Sequence, residues 1–225
     1  MDRHASLSGS EGEGTELSSA LLMHGLWQPV STLHALALAL TRGWGSLDDG
    51  ERLQMANDIE AETLRLRELA EDLTTLSLIQ TDGYRPALRR EPVVELLRDA
   101  AASVSELNGR LRVRVEPSAS GAVVLGDRGR ILQVLKAFLL RADRCSNGAT
   151  TVALRCGRRA EGLTFEVEYR PYEVATVAAG SGRWHLTLDV ARRLVEAHGG
   201  RISARSAGDL AALEFVLPLA ESEAA

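Results

Sequence analysis

The spacing of apolar residues between Met23 and Leu40 constrains this chain more than any other feature. Met23, Leu26, Val30, Leu33, Ala37 and Leu40 recur at steps of three and four, which draws one stripe along a helix. A second stripe follows at Met55, Ile59, Leu66, Leu69, Leu73 and Leu76. Ser46 is the expected N-cap of that second helix, with Asp48 and Asp49 in its first turn. Gly43, Trp44 and Gly45 break the first helix, and the turn signal TDGY at 81–84 ends the second. Residues 16–82 are thus expected to form a helical hairpin, preceded by a mobile tail over 1–15 that is rich in Gly, Ser and Glu. Two helices cannot shield two apolar stripes from water. Pairing with another copy closes a four-helix bundle, so the sequence predicts a homodimer.

After Tyr84 the periodicity changes. Residues 91–104 read as a short helix with Pro92 in its first turn. The segment 111–117 alternates with period two and reads as a strand, as does 123–126. Residues 127–143 are strongly amphipathic and helical, and 150–156 and 163–170 read as paired strands across a GRRAEG turn. A helix over 189–200 is stopped by Gly199 and Gly200, and 201–208 with 211–220 form a last hairpin. Helices intermixed with mostly antiparallel strands give an α/β sandwich over 83–225, one sheet with helices on one face. The fold class is α+β.

Composition excludes several functions. The longest near-continuous apolar run, Leu33–Leu40, falls far short of the roughly 20 residues of a membrane span. The polar, slightly acidic first residues lack the basic start and apolar stretch of a signal peptide, so a cytoplasmic protein is expected. The net charge of −5 gives no bulk attraction to nucleic acid. Cys145 and Cys156 fit no metal or redox spacing, and neither do His34, His185 and His198, so no metal site is expected.

Four stretches resemble the core of two-component histidine kinases. MHGLWQPVSTL (23–33) looks like the family box H-E-L-R-T-P-L, with His24 at the phosphorylated histidine and Pro29 at the proline. GDRGRILQVL (126–135) is similar to the family's G-D-x-x-R-L-x-Q-V-L segment. RRLVEAHGGRI (192–202) is nearly identical to the end of its last long helix, and EFVLPL matches its terminal strand. The resemblance implies a dimerisation and phosphoacceptor hairpin followed by an ATPase-like domain of the type shared with gyrase and certain chaperones. On that resemblance His198 is structural.

The departures fall on the residues of chemistry. The acidic neighbour of the histidine, which in the family assists proton removal for about 10²–10⁴ in rate, is here Gly25. Where the family writes N-L-L-x-N-A, with the second Asn on Mg²⁺, Ala137 and Arg141 hold the Asn positions. Mg²⁺ demands oxygen ligands, which neither supplies. In the box D-x-G-x-G, whose Asp binds the adenine amino group, Tyr169, Pro171 and Glu173 replace Asp and both glycines. The later glycine box survives at most as Gly180 and Gly182, and an ungapped count puts His185 and Thr187 on its last two glycines. The interval for an ATP lid is short. The sequence therefore predicts a degenerate core with no cofactor, ATP and Mg²⁺ entering only if the chain is a divergent active kinase.

Three functions follow from the resemblance. The first is a histidine phosphotransferase that takes a phosphoryl group on His24 from response-regulator receiver domains, as standalone phosphotransferases with degenerate kinase cores do. The second is a non-catalytic pseudokinase that binds a response regulator or a partner kinase. The third is a divergent, sensor-less histidine kinase. His24 is either the phosphoacceptor or a relic on a helix surface. Gln28, at the position of a family Thr or Asn that orients hydrolytic water, either does so or simply faces solvent. Trp27 and Trp44 are either exposed partner anchors or core residues.

Overall fold

The structure, a computed structural model, describes residues 11–81, 84–107, 111–117, 121–146, 151–171, 186–207 and 209–219, with 11–26 described by their backbone. The chain divides between Thr74 and Thr75 into two compact units. This point lies inside the second helix, ahead of the turn at 81–84. Leu76 is buried in the core of the second unit, and Thr75 is bonded within it.

The first unit holds α1 (Glu11–Gly43) and most of α2 (Asp49–Gln80). α1 begins at Glu11 rather than Glu16. Glu11, Glu13 and Glu16 place negative charge at the positive end of the helix dipole, which favours helix over the expected tail. Ser46 is not the N-cap of α2; its hydroxyl donates to the Gly43 carbonyl at 3.0 Å and closes α1 instead. Asp48 and Glu51 make the cap. The Glu51 N–H donates to Asp48 Oδ1 at 2.8 Å and the Asp48 N–H to Glu51 Oε2 at 2.9 Å, so two orphan donors are satisfied reciprocally, which Ser46 cannot do. Arg52 fixes the connecting loop. Its Nη2 donates to the Trp44 carbonyl at 2.7 Å, its Nη1 pairs with Asp49 at 2.8 Å, and its guanidinium lies 5.0 Å from the Trp44 ring centroid. Trp44 and Trp27 are both exposed, not core.

No Leu, Ile, Val or Met between Trp27 and Thr74 is buried. Val30 and Leu53 are exposed, while Leu33, Leu40, Met55, Ile59, Leu66, Leu69 and Leu73 are half-buried. Between Trp27 and Thr74 the stripe residues are thus only partly covered within a single chain.

The second unit contains a five-stranded sheet in the order β2-β4-β5-β7-β6: β2 (Val113–Pro117), β4 (Val152–Arg159), β5 (Gly162–Tyr169), β7 (Leu210–Leu217) and β6 (Arg201–Ala207). β2 and β4 are parallel and the other pairs antiparallel. Helices α3 (Val93–Leu107), α4 (Arg128–Ser146) and α5 (Leu186–Ala197) supply the other half of the core. Its centre is the chain's three phenylalanines. Phe165 and Phe215 stack at 4.6 Å across the β5–β7 register, and Phe138 of α4 meets Phe215 edge-on at 5.7 Å. A separate ribbon pairs β1 (Arg89–Pro92) with β3 (Val123–Gly126). Pro92 therefore ends a strand opposite Val123 and does not open a helix. A two-stranded ribbon tolerates its missing N–H, and the Val93 N–H takes over by donating to the Ala122 carbonyl at 3.0 Å.

The large sheet also carries a row of paired charges. Arg155 pairs with Glu116 at 2.7 Å and Glu168 at 3.1 Å, and Arg205 joins Glu166, at 2.8 Å, to Glu214.

Candidate functional site

The two candidate sites lie in different units. In the first, α1 runs without interruption through His24, Gly25 and Pro29. Pro29 has no N–H to offer the carbonyl of Gly25, which leaves a weak point in the helix within one turn of the histidine. Pro29 is buried, Gln28 and Trp27 are exposed, and Thr32 Oγ1 donates to the Gln28 carbonyl at 3.1 Å. Of His24 the structure gives the helical backbone position; its side chain lies outside what is described. Residues three and four apart on a helix are neighbours, so Trp27 and Gln28 flank position 24. No charged side chain stands at 25, 27 or 28 to help remove a proton.

In the second unit, Ala137, Arg141 and Cys145 follow each other at four-residue steps along α4 and so share one face. Ala137 and Cys145 are buried and Arg141 is half-buried. Tyr169 closes β5 and is 3% exposed. Burial, together with the Cys145 thiol and a hydrogen bond to it, pushes the Tyr169 phenol up to about 12 against the opposing pull of Arg141. The phenol is therefore neutral at physiological pH. Pro171 beside it is buried. The expected positions Glu173, Gly180, Gly182 and His185 lie outside the described residues. Thr187 is half-buried in α5.

Chemically, positions 137, 141 and 169 present a methyl group, a guanidinium and a buried phenol. None is a carboxylate or amide oxygen of the kind a hard divalent cation requires. Among the described residues no group of three or more His, Cys, Asp or Glu side chains could hold a metal ion. The other thiol, Cys156, is buried and pushed up to about 12, so it is not a nucleophile. Cys145 carried no signal of its own in the sequence; its place four residues after Arg141 is the one hint that it shares the Arg141 face.

The residues that match the kinase pattern best make contacts inside the chain. The Asp127 N–H donates to His198 Nε2 at 3.1 Å, so the ring's proton sits on Nδ1, 2.7 Å from the Leu194 carbonyl that accepts it. Asp127 Oδ1 accepts from the Arg130 N–H at 3.2 Å and caps α4. Arg130 donates to Thr75 Oγ1 at 3.0 Å and to Gln133 Oε1 at 3.2 Å. Gly199 has φ 74°, and a Cβ on Gly200 would come within 2.1 Å of the Val216 carbonyl oxygen. His198 is structural, as expected.

No family model and no curated protein matches the chain. Solved structures do. The Acinetobacter baumannii histidine kinase AdeS superposes with a TM-score of 0.67 at 21% identity, covering 87% of this chain and 98% of AdeS. Full-length ShkA, solved with AMPPNP, gives 0.60 at 20% identity over 90% of this chain and 46% of ShkA. The fold is that of a histidine kinase core. The ATP-binding domain of PrrB from Mycobacterium tuberculosis aligns with 60% of this chain, covering 99% of PrrB's domain, with a TM-score of 0.50 at 21% identity. Among the described residues no helix is long and apolar enough to cross a membrane.

Proposed function

We propose that this chain is a dimeric histidine phosphotransferase of two-component signalling, which exchanges a phosphoryl group with receiver-domain aspartates through His24 and does not phosphorylate itself from ATP. The observation that carries this is Tyr169: a buried, neutral phenol stands where the resemblance places the adenine-binding carboxylate. Ala137 and Arg141 remove the Mg²⁺ ligand on the facing helix. The hairpin, by contrast, keeps the histidine and the proline five residues on.

Transfer needs little from this chain. The unprotonated imidazole nitrogen attacks the phosphorus of an aspartyl phosphate. The P–N bond forms as the P–O bond breaks, the carboxylate leaves with the electron pair, and the proton on the other ring nitrogen is released to water. The receiver brings Mg²⁺ and its own acidic residues. The only partly covered stripes of α1 and α2 support a dimer as the working form.

The test uses labelled receiver phosphate with Mg²⁺. Label on the wild type and none on His24→Ala is expected. Receiver binding without label would sink phosphotransfer in favour of a non-catalytic docking protein. Label from γ-labelled ATP, or a thermal shift at millimolar ATP, would establish a divergent kinase instead. Light scattering is expected to give the mass of two chains.

A further inference from the structure

A cavity of about 320 Å³ opens on the second unit, lined by Arg114 of β2, Ala153 of β4, Glu168 of β5, Arg170 just beyond it and Leu210 of β7. Strand alternation fixes which side of the sheet it occupies. Val113 and Val115 pack against the core, as Leu154, Val167, Tyr169, Ala211 and Leu213 do within it. Their alternate neighbours Arg114, Ala153, Glu168, Leu210 and Ala212 therefore share the face opposite to the helices. The cavity thus lies behind the sheet from the degenerate nucleotide positions, where Tyr169 is turned into the core. It exists because the register row Arg114–Ala153–Glu168–Ala212 places two methyl groups where larger side chains would fill the face. At about 30 Å³ per molecule the space would hold about ten waters, and its volume sits at the lower end of small-ligand sites.

Three charged groups face this space, two guanidiniums and one carboxylate. Two strand spacings of about 4.8 Å and two residue rises of about 3.3 Å separate the Cα atoms of Arg114 and Arg170 by about 12 Å, so each guanidinium can take its own acceptor. Arg114 gives Nε to Glu116 at 2.5 Å, and Arg170 gives Nη2 to Asp209 at 2.8 Å. A guanidinium has five N–H donors, so both forks can serve a second carboxylate. Glu168 pairs with Arg155 at 3.1 Å in the neighbouring row, and a carboxylate accepts more than one donor. Ala153 and Leu210 supply an apolar wall between the charges. We propose that this cavity binds an acidic amino acid of the size of glutamate. Its two carboxylates lie on Arg114 and Arg170, its ammonium on Glu168 and its methylenes against Ala153 and Leu210. A ligand with carboxylates alone would set like charge against Glu168, and a simple cation would meet two guanidiniums. The site is independent of His24 and of phosphotransfer.

Calorimetry of L-glutamate binding to the full chain at matched ionic strength tests this. Binding in the millimolar range or tighter is expected, with a rise in the thermal midpoint. Arg114→Met and Arg170→Met should each weaken it by about tenfold or more, the range of a charge-assisted hydrogen bond. Both side chains are largely exposed, so circular dichroism of the two variants should match wild type. Arg159→Met, which removes a charge from the same face outside the cavity, should bind as wild type does. Glu168→Gln separates ammonium recognition from general attraction of anions. It should weaken glutamate by about tenfold and leave glutarate, which has both carboxylates and no ammonium, no weaker. Absence of binding at millimolar glutamate and aspartate overturns the proposal. So does an affinity unchanged in both arginine variants. Glutarate binding to wild type as tightly as glutamate would also overturn it, because the face would then attract anions without recognising an amino acid.

Discussion

Arg205 offers the sharpest test of how the large sheet is held together. Glu166 on β5 and Glu214 on β7 stand directly opposite each other in the register, and each is 7% exposed. Directly opposed residues bring like charges to about 5 Å, where the repulsion at an effective dielectric of 20 is about 3 kcal/mol. Arg205 on β6 answers both, with Nη2 2.8 Å from Glu166 Oε1 and Nε bonded to Glu214. Arg155 also reaches Glu166, at 3.5 Å, so that carboxylate keeps partial support without Arg205. Arg205→Met retains the apolar stem and removes the charge. Solvent reaches Arg205, whose side chain is about half exposed, so the loss should fall below the 3–5 kcal/mol of a fully buried pair, at about 2–3 kcal/mol. Urea unfolding of the full chain at pH 7 measures it. Adding Glu214→Gln to Arg205→Met should recover more than half of the loss, since one member of the repelling pair is gone. If Arg205→Met unfolds within about 0.5 kcal/mol of wild type, the range of an ordinary surface substitution, the charge row is decoration and the reasoning is wrong.

Three further outcomes are expected. Tyr169→Phe keeps the buried ring and should cost no more than about 1 kcal/mol, whereas Tyr169→Ala costs about 3–5 kcal/mol by leaving a cavity. Because the folded phenol is raised above its unfolded value, the folded state holds the proton longer, and wild-type stability falls as the pH climbs from about 10 toward 12; Tyr169→Phe should flatten that fall in pH-dependent urea midpoints. At Asp189, burial raises the carboxyl pKa but hydrogen bonds from Arg192 and Arg193, at 2.7 and 2.9 Å, outweigh it and hold the group below its usual range. Asp189→Asn should thus cost about 1 kcal/mol at pH 7, and the difference from wild type should fade as the pH falls below about 4. His198→Ala strands the Asp127 N–H and the Leu194 carbonyl and should cost about 2–4 kcal/mol in the same assay.

Periodicity made most of the fold legible. The α1 and α2 stripes, the β4–β5 pair and the β6–β7 hairpin all carry patterns of the right period along a single segment. What escaped depends on partners far away in sequence. β1 is four residues, three of them charged, and is a strand because Val123–Gly126 lies beside it. The capping pair Asp48 and Glu51 reads as D-x-x-E, but Ser46 is an equally good cap by residue type, and only the bond of its hydroxyl to the Gly43 carbonyl separates the two. Of the candidate site, His24 and Pro29 are visible from their spacing alone. The burial of Tyr169 in one core with Cys145 is not, because it brings the end of a strand together with a helix two elements earlier, and no local pattern records it.

The motif residues separate by what they touch. Asp127, Arg130, Gln133 and His198 are bonded to this chain, and Gly199 and Gly200 are required by its backbone. The positions that the resemblance assigns to nucleotide and metal carry Ala137, Arg141 and Tyr169. Of those positions Ala137 and Tyr169 are packed in the core of the second unit and Arg141 is half-buried. The described part of the hairpin differs, with Trp27, Val30 and Leu53 exposed and the other stripe residues up to Leu73, apart from the small, exposed Ala37, only half-buried. Among the described residues, exposed large apolar side chains such as Trp27 and Val30 therefore lie on the helix that carries the histidine, while the large side chain at 169 is turned into the core of the second unit.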